Sequence, residues 1–153
     1  MAKLLNYTRL PLEDAVYANR LAYSVHFALQ NEDGSWMALN HNSGVLFVKA
    51  TENADGSLNP KSLKNPWVFN LKDGGYGVFA IRTLAEGQED TEDLGTAVFW
   101  TSKDLVRFDE AGLVKFTDGH ISDVRCKAVD AGYQLQWQTA DGAWKETCLK
   151  SLS

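Results

Sequence analysis

The side chains of this sequence that could do chemistry fall into three groups: clustered amides and imidazoles, indole rings beside turns, and scattered carboxylates. Asn40-His41-Asn42 places three planar donors and acceptors in a row before an apolar stretch, the kind of group that meets sugar hydroxyls. The same residues equally suit a hydrogen-bonded turn, since asparagine readily turns the chain. Trp67 and Trp100 flank turns, where an indole face can stack on a pyranose ring or pack into a core. His26 alternates with Val25 and Phe27 and has no second histidine at ligand spacing, so no metal site is expected. Asp104, in Ser102-Lys103-Asp104, reads as a turn residue whose carboxylate takes nearby backbone N–H groups. Arg82 ends an apolar run and is placed to pair with a neighbouring carboxylate. No Gly-x-Ser-x-Gly elbow and no glycine-rich phosphate cradle occurs, so neither a nucleophile of that type nor a cofactor is expected.

Composition narrows the frame around these residues. The 153 residues suit one domain, 1–153, with residues 1–22 as an N-terminal arm. Hydrophobic residues make up 44% and charged residues 23%, a globular balance. Five Trp, five Tyr and seven Phe favour strands. The net charge of −5, with no basic block, argues against a nucleic-acid partner. No apolar run approaches the roughly 18 residues of a membrane span, and the N-terminus lacks a signal-peptide pattern. The expectation is a cytoplasmic chain without a membrane partner. Cys126 and Cys148 fall on the first and third strands of one predicted meander, about 10 Å apart, and are expected to be two buried free thiols.

Turn residues organise the rest. Tyr23–Leu29 alternates large apolar residues with others, the period-2 mark of a strand, and Asn31–Ser35 turns it towards Trp36–Leu39. Val45–Ala50 reads as an apolar strand and Thr51–Leu63 as a polar loop. Trp67–Asn70 and Tyr76–Arg82 flank the turn Lys72–Gly75. Glu86–Asp93 is acidic and reads as a solvated loop. Gly95–Thr101 is a strand, and Val106–Phe108 and Leu113–Phe116 are short strands around Asp109–Gly112. Ser122–Val129, Tyr133–Thr139 and Trp144–Leu149 form the last unit, while Leu10–Ala22 offers one short helix. Tyr23-x-Val-x-Phe followed by Asp33-Gly-Ser-Trp36 is echoed in Tyr133-x-Leu-x-Trp followed by Asp141-Gly-Ala-Trp144. The fold class is therefore all-β, built of antiparallel hairpins. A partial β-propeller and a β-sandwich both fit this pattern.

Tyr23–Ala28, Asn40–Phe47, Leu63–Phe69, Gly75–Arg82 and Trp100–Val106 occur in an order that resembles the opening blades of family 43 glycoside hydrolases. Those enzymes are five-bladed propellers of arabinofuranosidase and xylosidase type. The resemblance implies a general base in a Lys-Asp-Pro-aromatic string, a position occupied here by Asn65. An amide cannot take a proton from water, so base catalysis there is lost. It further implies that Asn40, His41, Asn42, Trp67 and Trp100 line a sugar-facing side. At about 40–45 residues per repeat of the WD40 type, 153 residues make only about 3.4 blades. The expectation is thus a catalytically incomplete fragment or subunit that acts on or binds arabinose- or xylose-containing glycans, completed by self-association or a second polypeptide. The alternative is a non-catalytic carbohydrate- or protein-binding module.

Overall fold

The computed structural model describes residues 3–9, 24–40, 44–84 and 94–152. The helix expected in Leu10–Ala22, the acidic segment Glu86–Asp93 and the candidates His41 and Asn42 lie outside these residues. Among the described residues the regular structure is twelve β-strands, and the pairings are antiparallel. No described helix is long and apolar enough to cross a membrane. The chain divides into two compact units, Met1–Lys64 with Thr83–Gln88, and Asn65–Arg82 with Glu89–Ser153.

In the first unit β1 (Leu4–Arg9), β2 (Ser24–Gln30) and β3 (Trp36–Ala38) form a sheet in that order. Val25 and Phe27, on one face of β2, are fully buried. The loop Asn31–Ser35 closes β2 on β3. Asn31 N–H donates to Ser35 O at 2.8 Å, Gly34 takes φ +85, and the Asp33 carboxylate accepts from Ser35 N–H at 2.9 Å. Glycine tolerates that left-handed conformation at no steric cost, which is why Asp-Gly marks the hairpin. The segment read as a polar loop contains a second copy of this device. Asn53–Ser57 joins β4 (Thr51–Glu52) to β5 (Leu58–Asn59) with the same bonds. Val45–Ala50, read as a strand, makes a single bridge among the described residues, between Leu46 and Val25, and Phe47 beyond it is exposed. An apolar run has no periodicity to distinguish ladder from loop.

In the second unit the sheet runs β6 (Lys61–Asn70), β7 (Tyr76–Leu84), β8 (Thr96–Ser102), β9 (Asp109–Lys115), with β6 and the end of β7 continuing into residues of the first unit. A meander follows: β10 (Ile121–Val129), β11 (Gly132–Thr139) and β12 (Trp144–Leu149). Phe69, Phe79 and Phe99 stack across β6, β7 and β8, with centroids 5.8 Å (Phe69–Phe79) and 4.7 Å (Phe79–Phe99) apart. Tyr133 of β11 meets Phe69 edge-on at 6.2 Å. Ile81, Ala97, Phe116, Ile121, Val124, Cys126 and Leu135 complete this core. Burying each large side chain here contributes about 1.5–3 kcal/mol. Gly77 sits against the Phe69 ring, where any Cβ would collide.

Val78, Ala80 and Val98, on the opposite side of β7 and β8, are also fully buried. Burial on both faces explains why β7 reads as an almost continuous apolar run. β9 is one strand rather than the two short ones expected. The Asp104 carboxylate gathers the N–H groups of Val106 and Arg107, both at 2.9 Å, and Leu105 adopts φ +60. This winds residues 102–107 into a turn, and the ladder resumes only at Asp109 opposite Thr101. Asp104 is the turn residue its spacing predicts, and its backbone donors, Arg107 and Val106 first, hold its carboxyl below the usual range.

Candidate functional site: the outer face of the C-terminal meander

Period-2 alternation sends every second residue of β10–β12 outward. The register aligns these residues in a grid of three rows: Asp123–Gln138–Trp144, Arg125–Gln136–Glu146 and Lys127–Gln134–Cys148. Rows along a strand are about 6.8 Å apart, and strands lie about 4.8 Å apart. The grid therefore presents three amides, two carboxylates and two cations on one face, with an indole at its edge.

These side chains order one another. The Gln134 and Gln136 amides both donate to Glu146 Oε2, at 2.6 and 3.3 Å. Gln138 donates to Gly142 O at 3.1 Å and accepts from Ser122 Oγ at 3.0 Å. The Arg125 guanidinium donates through Nε and NH2 to Asp123 Oδ2, at 3.3 and 3.2 Å. It also lies between two indoles, 5.2 Å from the Trp67 ring and 4.8 Å from the Trp144 ring. At this solvent-facing position each cation–π contact contributes about 0.5–1 kcal/mol. Trp67 is anchored in turn, its Nε1–H donating to Cys126 O at 2.9 Å. Trp144 is 44% exposed and keeps ring surface open to solvent. The two charges of each sign on this face balance.

The residues singled out from sequence occupy different settings. Asn65 is exposed, with φ +50, a conformation asparagine tolerates better than most residues. Its Nδ2 donates to Ser122 O at 2.6 Å. Asn65 and Trp67 thus satisfy two carbonyls on the outer edge of β10, which would otherwise be an open template. A carboxylate at position 65 would set negative charge against the Ser122 carbonyl. Trp100 is only 3% exposed and has no open ring face for a solute. Asn40, in the first unit, has φ +54 and directs its amide at Gly44 O, 3.5 Å away. The structure therefore brings Asn65 and Trp67 together beside β10, whereas Trp100 lies buried in β8.

Arg125, Gln134, Gln136, Gln138, Trp144 and Glu146 were not among the sequence candidates. A signal for them exists: glutamine recurs at every second position of β11, the polar half of the alternation whose apolar half is Tyr133-x-Leu-x-Trp.

Two other arrangements are structural. Ser24 Oγ lies 3.0 Å from His26 Nε2, the spacing of a nucleophile and its base, but both residues are 5% exposed and His26 is stacked on Tyr7 at 5.2 Å. Burial of that kind closes the hydroxyl to a substrate. Asp118 accepts from Trp137 Nε1 at 2.8 Å and from Lys145, and these donors, Lys145 first, hold its carboxyl below the usual range. That pair ties the β9–β10 turn to the meander.

The expected pair of buried thiols is half corrected. Both cysteines are free and Cys126 is buried, but Cys148 is exposed. Cys126 lies opposite Leu135 and Cys148 opposite Gln134, so alternation puts them on opposite faces. No family model matches this chain, and no curated protein matches it.

Proposed function

We propose that this chain is a non-catalytic carbohydrate-binding β module that holds neutral arabinose- or xylose-containing glycans on the outer face of β10–β12. The observation that carries this reading is the grid itself, with planar amides at Gln134, Gln136 and Gln138 beside the exposed indole of Trp144. Planar donors and acceptors match ring hydroxyls, and an indole covers the apolar face of a sugar ring. The charge balance favours a neutral ligand. Asn65 supports binding over hydrolysis, because its amide is a donor fixed on a carbonyl and cannot act as a base.

The propeller reading has its own support. β6–β9 is a four-stranded antiparallel meander, the composition of a propeller blade, and β10–β12 is one strand short of another. β12 is the strand at the sheet's edge, where a second polypeptide or a second copy would add the missing strand.

Titration calorimetry with xylo- and arabino-oligosaccharides tests the binding function. Saturable binding that Trp144→Ala and Gln136→Ala each weaken, in folded variants, supports it. Absence of binding by the unmodified chain to these glycans and to soluble arabinoxylan rules it out. Light scattering over a concentration series tests the strand addition, and a monomer throughout removes self-assembly.

A further inference from the structure

The chain holds five Asp-Gly pairs, at Asp33, Asp55, Asp73, Asp118 and Asp141, and all five lie within described residues. Four of these carboxylates are committed. Asp33 and Asp55 each accept from the backbone N–H and the hydroxyl of the serine two positions on. Asp141 accepts from Ala143 N–H at 3.1 Å and from the Thr139 hydroxyl. Asp118 is held by Trp137 and Lys145. Among the described residues, none donates to the Asp73 carboxylate. Its loop, Leu71–Gly75, has leucine and glycine where the hairpin loops of Asp33, Asp55 and Asp141 carry Asn or Thr first and Ser or Ala last.

The backbone differs in the same direction. In each hairpin loop the glycine N–H donates to the carbonyl three residues back. The distance is 3.0 Å at Gly34, 2.9 Å at Gly56 and 3.0 Å at Gly142, but 3.3 Å at Gly74. Asp73 and Gly74 are both exposed, and nothing lies within 4 Å of where a Gly74 side chain would project.

We infer that Asp73-Gly74 is a site of spontaneous backbone modification, the one Asp-Gly pair of the five free to rearrange to isoaspartate in the folded protein. The Gly74 nitrogen attacks Asp73 Cγ. A C–N bond closes a five-membered imide, and the carboxyl oxygen leaves as water with the amide proton. Water then opens the imide at either carbonyl, restoring aspartate or leaving isoaspartate, so water is the sole co-reactant. Attack needs a carboxyl free to rotate and an amide nitrogen free to leave its hydrogen bond. It also proceeds through the neutral acid, and hydrogen bonding holds the other four carboxyls below their usual range.

The rearrangement has a structural consequence. Isoaspartate lengthens the main chain by one methylene inside a five-residue loop. Lys72, the preceding residue, donates its N–H to the Tyr133 hydroxyl at 2.9 Å, and its ammonium to Val129 O and Asp130 O at 2.9 and 2.7 Å. The modification acts directly on this latch between the β6–β7 loop and the β10–β11 turn.

The test is incubation of the folded chain at 37 °C and pH 6 in 18O-labelled water, followed by proteolysis and mass spectrometry of the five Asp-Gly peptides. The expected result is 18O incorporation and resistance to Asp-specific cleavage at Asp73, accumulating at least fivefold faster than at any other pair. Asp73→Glu abolishes that signal. The double substitution Asn31→Leu, Ser35→Gly gives the first loop the chemistry of the third and raises the rate at Asp33 at least threefold. Equal rates at the five sites in the unmodified chain, or an unchanged Asp33 rate in the folded double variant, overturns the inference.

Discussion

The two faces of the β10–β12 meander are drawn from the same strands yet obey different rules. Tyr133, Leu135 and Val124 point inward, are at most 8% exposed and are defined by fit. Gln134, Gln136 and Arg125, their immediate neighbours in sequence, point outward and are held by directed bonds to Glu146, Asp123 and two indoles. The inner face carries stability through area removed from water. The outer face contributes little stability, because its hydrogen bonds replace equally good bonds to water. Ordered polar groups of this kind are what the proposed binding function draws on.

That contrast can be broken most directly by truncating neighbours. Leu135→Ala is expected to lower unfolding free energy by about 2–5 kcal/mol, whereas Gln136→Ala stays within about 0.5 kcal/mol. Urea denaturation of both variants measures this, and equal losses would mean the outer face is structural. The thiols give a chemical version of the same test. Burial pushes the Cys126 thiol up to about 12, and Cys148 is exposed. A thiol reagent at pH 8 is expected to modify one cysteine of the native chain promptly and the second only on unfolding.

Smaller effects sharpen the outer face. Trp144→Ala is expected to weaken the proposed glycan binding at least tenfold, about 1.4 kcal/mol, with little change in melting temperature. A loss of stability comparable to that of Leu135→Ala would place the indole in the core instead. Asn65→Asp is expected to cost about 1 kcal/mol by removing the donor to Ser122 O, and to produce no hydrolysis of aryl arabinofuranosides or xylosides. Measurable turnover by that variant would return the chain to the hydrolases. The smallest effect concerns pH. Lys145 and Trp137 lower the Asp118 carboxyl in the fold, so its contribution is present above the unfolded value of about 3.9 and is lost as pH falls through the folded value. Asp118→Asn is expected to flatten the acid limb of the stability curve below about pH 4 and to leave its slope at neutral pH unchanged.

Much of the framework was legible because its signals are local. Trp144–Leu149 matches the observed strand residue for residue, and Tyr76, Ser122 and Tyr133 mark strand starts to within one position. Asp-Gly identified the turns at Gly34, Gly74 and Gly142 because glycine takes the left-handed angle each one requires. The errors fall where a signal had two outlets. Asp109–Gly112 looks like a turn by composition, but the Asp104 carboxylate had already turned the chain at 102–107. Val45–Ala50 looks like a strand, but among the described residues it found one bridge.

The sequence by itself determined that this chain is all-β, where most hairpins turn, and that position 65 holds an amide unable to act as a base. Each follows from the chemistry of a residue and its nearest neighbours. Only the tertiary structure decided that Trp100 is buried while Trp144 is open, that Asn65 caps a strand edge, and that the glutamines of β11 stand beside Arg125 and Glu146. An indole or an amide has the same local pattern whether it packs, caps or waits for a ligand. The difference lies in which distant strand comes to lie beside it.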